Sequence, residues 1–432
     1  MRRLLCPLCF VAIVCWQLSA ALAAKPLGSW PTFRGADRSG VSHDTGLLKQ
    51  WPEEGPPLVW ETEGAGRGYS SLAIVGDKIF TLGDAPSTAG DEAEYLLAFD
   101  RQSGKPLWKA KIGPPWKSGS PDWQSSRSTP TVDDDSVYVV SPFGELVCCD
   151  VATGDERWRK QLKDDLGGKK GDGWGYSESV LVDGDRVVCT PGGETATVAA
   201  LDKRNGELIW QTTRPEDRGA GHASIAVAEI GPTRVYVQTT ASGPLGVRAS
   251  DGKLLWNYPI DKTTAVIPTP IVRDDLVFFS AGYGRGGALL RQVPRPDDEV
   301  EIEEIYPLNK ALANKHGGVV LVGDYVYGDS EDKGIVFCAE LMTGEIKWKE
   351  RGPGRGSAAV TAADGCLYIH YSDGVMALAK ASPEAFTLLG SFTVPGSGDR
   401  PSWMHPVVLD GKLYVREQDR LLCYDVRASG GE

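Results

Sequence analysis

The interval Gly-x-x-x-Trp recurs at Gly104/Trp108, Gly154/Trp158, Gly206/Trp210, Gly252/Trp256 and Gly344/Trp348, and five matches at one spacing require a repeated unit. Successive Trp residues lie 50, 52 and 46 residues apart, and then 92, which is two units with Tyr306 in the Trp place of a worn copy. The clearest unit is SRSTPTVDDDSVYVVSPFGELVCCDVATGDERW, Ser126 to Trp158. It alternates β-branched and polar residues between turn signals four times over, as an antiparallel four-stranded meander does. Six units end at Trp348; the runs Gly356 to Val394 and Ser402 to Val426 add a seventh without its Trp and an eighth one strand short. The N-terminal PPLVWETEG carries Trp60, 48 residues before Trp108, and supplies that strand. Units of this period are propeller blades, which cannot bury their own faces and close end to end to remove exposed edges. The expected fold is all-β: an eight-bladed β-propeller of four-stranded antiparallel blades, closed by an N-terminal strand.

Three segments follow. Residues 1–23 have the charged start, apolar run and small-residue end of a secretory signal peptide, with Ala21 to Ala23 as the cleavage site. Residues 24–57 are rich in Gly, Pro and charge and read as an irregular strap, its Trp30, Phe33 and Trp51 pinning it to the outside of the ring. Residues 58–432 form the single propeller. The expected location is exported, periplasmic or extracellular, with no transmembrane segment and a monomeric state. A formal charge of −12 argues against a nucleic-acid or anionic-membrane surface, which needs clustered Lys and Arg.

Cysteine in an oxidising compartment invites a disulfide reading, but the repeat argues otherwise. Six residues before the turn Gly stand Ala98, Cys148, Ala200, Gly246 and Cys338, with Ala377 and Cys423 at the comparable later places. A position that accepts only Gly, Ala or Cys is a packing slot, where Cys acts as a small hydrophobe.

Loop lengths locate function. Turns after first and third strands are short, as at Val75-Gly76-Asp77-Lys78, whereas the opposite face carries GDAPSTAGDEAE, GPPWKSGSPDWQSS and KDDLGGKKGDGWG. Long, varied loops on one face mark the binding face. First strands line the channel and begin there, which collects Tyr69, Arg127, Tyr176, Glu178, His222, His316, Arg355, Trp403 and His405, three of the five histidines among them. Trp116, Trp123, Trp174, Tyr283 and Arg285 stand above them in the loops. Aromatics with a few convergent polar groups are the usual form of a ligand site. The histidines fall in blades four, six and eight, too far apart around a wide ring to share one ion, so no metal site is expected. No nucleophile elbow, phosphate loop or His-Glu-x-x-His occurs.

The stretches GELVCCDVATGDERW, EYLLAFDRQSGKPLW and GIVFCAELMTGEIKW resemble the repeat of pyrroloquinoline-quinone-binding-like β-propellers over nearly all of residues 24–432. WPTFRGADRSG, KHGGVVLVGDYVYG and WMHPVV resemble an exported bacterial subgroup. The resemblance implies one of two activities: a quinoprotein alcohol dehydrogenase, holding pyrroloquinoline quinone and calcium in the channel, or a non-enzymatic scaffold like the lipoprotein subunit of the outer-membrane barrel-assembly machinery. Calcium takes six to eight oxygen ligands, and Glu178 is the only acid at the aligned strand starts. Cys148-Cys149 lies in a third strand rather than in a loop over a cofactor. The expectation is therefore a non-catalytic scaffold binding a protein or small ligand at the long-loop face, with the quinone-dependent oxidoreductase as the alternative.

Overall fold

Each repeat folds into its own four-stranded antiparallel sheet, and eight such sheets make the ring. The computed structural model describes residues 28–85 and 90–428; the secretory leader read from the sequence lies outside them. Blades one to seven run Ala73–Gly113, Thr131–Gln161, Leu181–Thr212, Ala226–Asn257, Ile271–Asn309, Val319–Arg351 and Ala358–Thr393. Blade eight comprises Val407–Asp425 and, as its outermost strand, Leu58–Glu63. That strand pairs antiparallel with Arg420–Asp425, Trp60 opposite Cys423, so the closure expected from the sequence is present.

The Gly-x-x-x-Trp repeat has one physical meaning at the boundaries where it is intact. Four outer-strand Trp residues lie over the turn glycine of the next blade, Trp158 over Gly206 among them: a Cβ added to Gly104 would sit 2.6 Å from Trp60, one on Gly154 2.6 Å from Trp108, and one on Gly252 2.4 Å from Trp210. These glycines also hold positive φ, 71° at Gly104 and 79° at Gly154, where a side chain is strained. The indole N–H then donates to the neighbouring blade, Trp158 to Lys203 O at 3.0 Å and Trp210 to Ala249 O at 3.1 Å. Tyr306 takes the Trp place in blade five and packs against Gly344. The small slot has its reason in the same stack. Ala98, Cys148, Ala200, Gly246 and Cys338 are the cross-strand partners of Trp108, Trp158, Trp210, Trp256 and Trp348. All six described cysteines are buried and free.

A second belt runs around the channel. Ser71 N donates to Thr129 Oγ1 (3.1 Å), Thr129 N to Ser179 Oγ (3.0 Å), Ser179 N to Ser224 Oγ (3.0 Å) and Ser224 N to Thr269 Oγ1 (3.1 Å). A hydroxyl two residues before each of the first five inner strands thus stitches those blades together and satisfies backbone donors that face the bore.

The N-terminal segment is not an outer strap. Trp30 and Phe33 lie inside the channel, a correction with a clear cause: inner strands present unpaired backbone groups to the bore, and this segment satisfies them. Trp30 exchanges two 2.8 Å backbone hydrogen bonds with Ile74, Val132 N donates to Pro31 O, and Val41–Ser42 pairs parallel with blade seven at Ala362 and Ala363. Arg38 crosses the bore, donating to Ser179 O at 2.9 Å, to Ile225 O at 3.1 Å and to Val180 O. Arg34 reaches Val319 O at 2.5 Å. Burial lowers both guanidinium pKa values to about 10. Trp51 does pack on the outer strand of blade seven, against Phe392 and Tyr368.

The Trp–Gly stack predicts two opposite outcomes from equally small changes. Gly154→Ala, which forces a Cβ against Trp108 at positive φ, should cost about 2–4 kcal/mol in chemical denaturation. Cys148→Ala and Cys338→Ala, whose slots hold alanine in sister blades, should each cost less than about 1.5 kcal/mol.

Candidate functional site: a blind aromatic cup

Because residues 30–42 occupy the lower part of the bore, the channel is closed from the short-turn side and open only at the long-loop face. What remains is a cup of about 550 Å³. Phe33, Arg34, Gly318 and His405 make its floor; the wall carries Tyr69, Arg127, His222, His316 and Trp403; and Trp123, Trp174 and Tyr283 come from the loops. The aromatic wall has two groups of rings in contact: Trp403 stacks on His316 at 4.3 Å between ring centres and meets Tyr69 at 4.6 Å, and Trp123 meets Trp174 edge-on at 5.9 Å. Such rings supply flat apolar area at low entropic cost.

The structure thus brings seven of the sequence candidates to the cup: Tyr69, Arg127, Trp174, His222, His316, Trp403 and His405. Four others stand elsewhere. Tyr176 is fully buried, its hydroxyl donating to Pro191 O at 2.8 Å. Glu178 points away between blades three and four, accepting from Thr190 N (2.7 Å), Thr190 Oγ1 (2.9 Å) and Gln238 Nε2 (3.0 Å). Alternation along an extended strand explains both, since alternate residues leave the bore. Arg285 lies outside the lining, and Arg355 is exposed beside it while its neighbour Gly356 lines the cup. Of the loop aromatics, Trp123 and Tyr283 line the cup, whereas Trp116 packs on Phe143. Phe33 and Arg34 were missed as site residues, because nothing in SWPTFRGADRSG signals which side of the ring it follows.

All three cup histidines are held neutral, and two of them are oriented by hydrogen bonds. His222 is lowered to about 4, by burial first and then by Lys170. Its Nδ1 meets Ser177 Oγ at 2.5 Å and its Nε2 lies 2.9 Å from Asp172 Oδ2. Against the upward push of burial, His222 and Lys170 keep the Asp172 carboxyl below the usual range. His405 is lowered to about 3 by burial and by Arg34. Burial also lowers His316, partly offset by Asp332, and its Nδ1 lies 2.9 Å from Ser357 Oγ.

The donor set does not fit the calcium of a quinoprotein site. Asp332 is the one carboxylate in the lining, and it already faces Lys315 and His316. Among the described residues there is no group of three or more His, Cys, Asp or Glu side chains placed to hold a metal ion. Nor is any helix there long and apolar enough to cross a membrane.

Fold and cup together define an eight-bladed propeller whose axis is a closed recess rather than a pore. The chain belongs to the family described as outer membrane protein assembly factor BamB, whose profile matches residues 92–350. The protein of that name from Nitrosomonas eutropha is 29% identical over 168 residues, 39% of this chain and 34% of the relative. The matches span 34% to 61% of the length of the first four such relatives. Among the solved structures that share the fold are BamB from Moraxella catarrhalis (TM-score 0.57, 16% identity, 86% of this chain and 99% of that one) and a europium-containing methanol dehydrogenase (TM-score 0.63, 13% identity, 90% and 89%).

Glu178 yields a prediction about pH. Burial raises its carboxyl to about 7, so the native state holds a proton that the unfolded chain releases near pH 4.5. Its stabilising contribution is complete below that pH and is lost as pH rises through 7. Urea titrations at pH 5 and pH 7 should therefore show wild type losing roughly 2 kcal/mol from this group. Glu178→Gln should lack that slope.

Proposed function

We propose that this protein is an exported, non-catalytic binding propeller that docks a protein partner at its long-loop face, with the cup as the centre of the contact. The observation that carries this reading is the closed floor. A bore filled by the chain's own residues 30–42 is no conduit, and what remains is a recess walled by aromatic rings, open on the face with the long loops. Two rim aromatics, Trp123 and Tyr283, are 43% and 36% exposed. Exposed aromatic anchors around a recess are where interface energy concentrates. Membership of a family named for an assembly factor supports a scaffold. The cup's single paired carboxylate counts against a calcium–quinone centre.

The test is site-specific photo-cross-linking in the native exported compartment. A cross-linker at position 123 or 283 should give the same discrete protein adduct, and Trp403→Ala should weaken it without lowering the melting temperature by more than a few degrees. A cross-linker at Leu208, 44% exposed on the outer strand of blade three, should give none. Adducts from position 208 with none from 123 or 283 would move the interface to the outer wall and refute the reading.

A further inference from the structure

The cup is positive in an acidic protein. Three cationic side chains, Arg34, Arg127 and Lys315, line it against the one carboxylate of Asp332, while the whole chain carries a formal charge of −12. Lys315 and Asp332 pair with each other, whereas among the described residues no carboxylate makes contact with either guanidinium: Asp172 and Glu94 act on Arg127, and Asp37 on Arg34, only through space. Arg127 is held by backbone oxygens alone, donating to Trp174 O at 2.9 Å and to Trp123 O. Arg34, 2% exposed, donates to Arg38 O (3.1 Å), Ser39 O and Val319 O, and its Nη1 has no partner. That Nη1 lies under Gly318, 2.9 Å from where a Cβ would stand, with His405 Cε1 3.5 Å from the same point. His405 Nδ1 is likewise buried without a partner. Behind the wall, Arg400 adds a third guanidinium, its carbon 5.5 Å from the centre of the Tyr69 ring that Arg127 also faces. Arg400 too is held by neutral oxygens, of Ser125, Gln124 and Pro121. Buried charges are costly unless paired, and guanidinium forks match carboxylates. The missing partner is an anion.

Its geometry narrows the class. The floor is closed, so nothing can thread the cup, and an internal stretch of chain would have to fold back as a loop to bring an Asp or Glu side chain to its base, whereas a chain end delivers a carboxylate and its last side chain together. The mouth is open and rimmed by the exposed Trp123 and Tyr283, so the occupant extends beyond it. Of the two ends of a polypeptide only the carboxyl end is anionic. We infer that the cup captures the C-terminal carboxylate of a partner chain, with the last apolar or aromatic side chain packed among Tyr69, His316 and Trp403 and the carboxylate directed to Arg127 and Arg34. This rests on the docking reading above and specifies which part of the partner docks.

The test uses the purified full-length protein and fluorescence anisotropy. The probe is an N-terminally labelled six-residue Gly/Ser peptide ending in phenylalanine, as the free acid and as the C-terminal amide, with 3-phenylpropionate as a competitor. The free acid should bind at least tenfold more tightly than the amide, and 3-phenylpropionate at least tenfold more weakly than the free acid. Arg127→Gln should abolish the acid–amide difference; Arg34→Gln is the second variant, used only if its melting temperature shows it folded. Equal binding of acid and amide would overturn the carboxylate anchor. Equal binding of 3-phenylpropionate and peptide would assign the cup to a small aromatic acid instead of a chain end. An acid preference that survives both folded variants would overturn the role of the two arginines. If neither peptide binds while cross-linking from positions 123 and 283 persists, the chain-end inference fails and the docking reading stands; loss of the cross-links as well would sink both.

Discussion

The structure depends on one contact repeated around the ring: an indole lying flat over a glycine that can have no side chain. Trp60 on Gly104, Trp108 on Gly154, Trp158 on Gly206 and Trp210 on Gly252 each bridge two blades, and an N–H donation to the next blade fixes the orientation of Trp158 and of Trp210. A blade alone leaves both faces exposed, so its stability comes from its neighbours. The same indole dictates the small residue across the strand pair, where Cys423 faces Trp60 as Cys148 faces Trp158. Glycine, tryptophan and the small slot are three readings of one packing unit.

A ring of eight blades leaves a bore too wide for inner side chains to fill, and its inner strands expose backbone groups there. Residues 30–42 resolve both problems from within the chain. They pair with blades one and seven, and through Arg34 and Arg38 they reach blades three, four and six. The same stretch that satisfies the bore turns it into a cup and places a guanidinium at its floor. Closure and site are therefore coupled: the N-terminal segment floors the recess before its continuation, Leu58–Glu63, completes blade eight.

Much of this was legible in the sequence because it repeats. Gly-x-x-x-Trp gave the blade count, the worn copy at Tyr306 and the missing strand supplied by Trp60, each an arithmetic consequence of one spacing. The loop lengths pointed to the face, and strand alignment together with the loop residue Trp174 brought seven of eleven site candidates to the recess. Failures came where repetition stops. The segment around Trp30 and Phe33 occurs once, so no sister copy tells inside from outside, and its hydrogen bonds are to backbone atoms far away in sequence. Tyr176 and Glu178 failed for a smaller reason: an alignment good to one residue does not say which face of a strand that residue takes, and a shift of one reverses it. The hydroxyl belt at Ser71, Thr129, Ser179, Ser224 and Thr269 was visible as a Ser or Thr two places before the inner strands of blades one to five, a signal without meaning until the strands were seen side by side.

The central claim is that residues 30–42 are built into the bore and not laid against the wall. Hydrogen–deuterium exchange resolved to single amides tests it directly. Trp30 N, bonded to Ile74 O, and Ala362 N, bonded to Gly40 O, should exchange as slowly as the inner-strand amides of blades one and seven, since opening either requires breaking channel contacts. Exchange at the rate of an unstructured chain at those positions, with the blades themselves protected, would contradict the account.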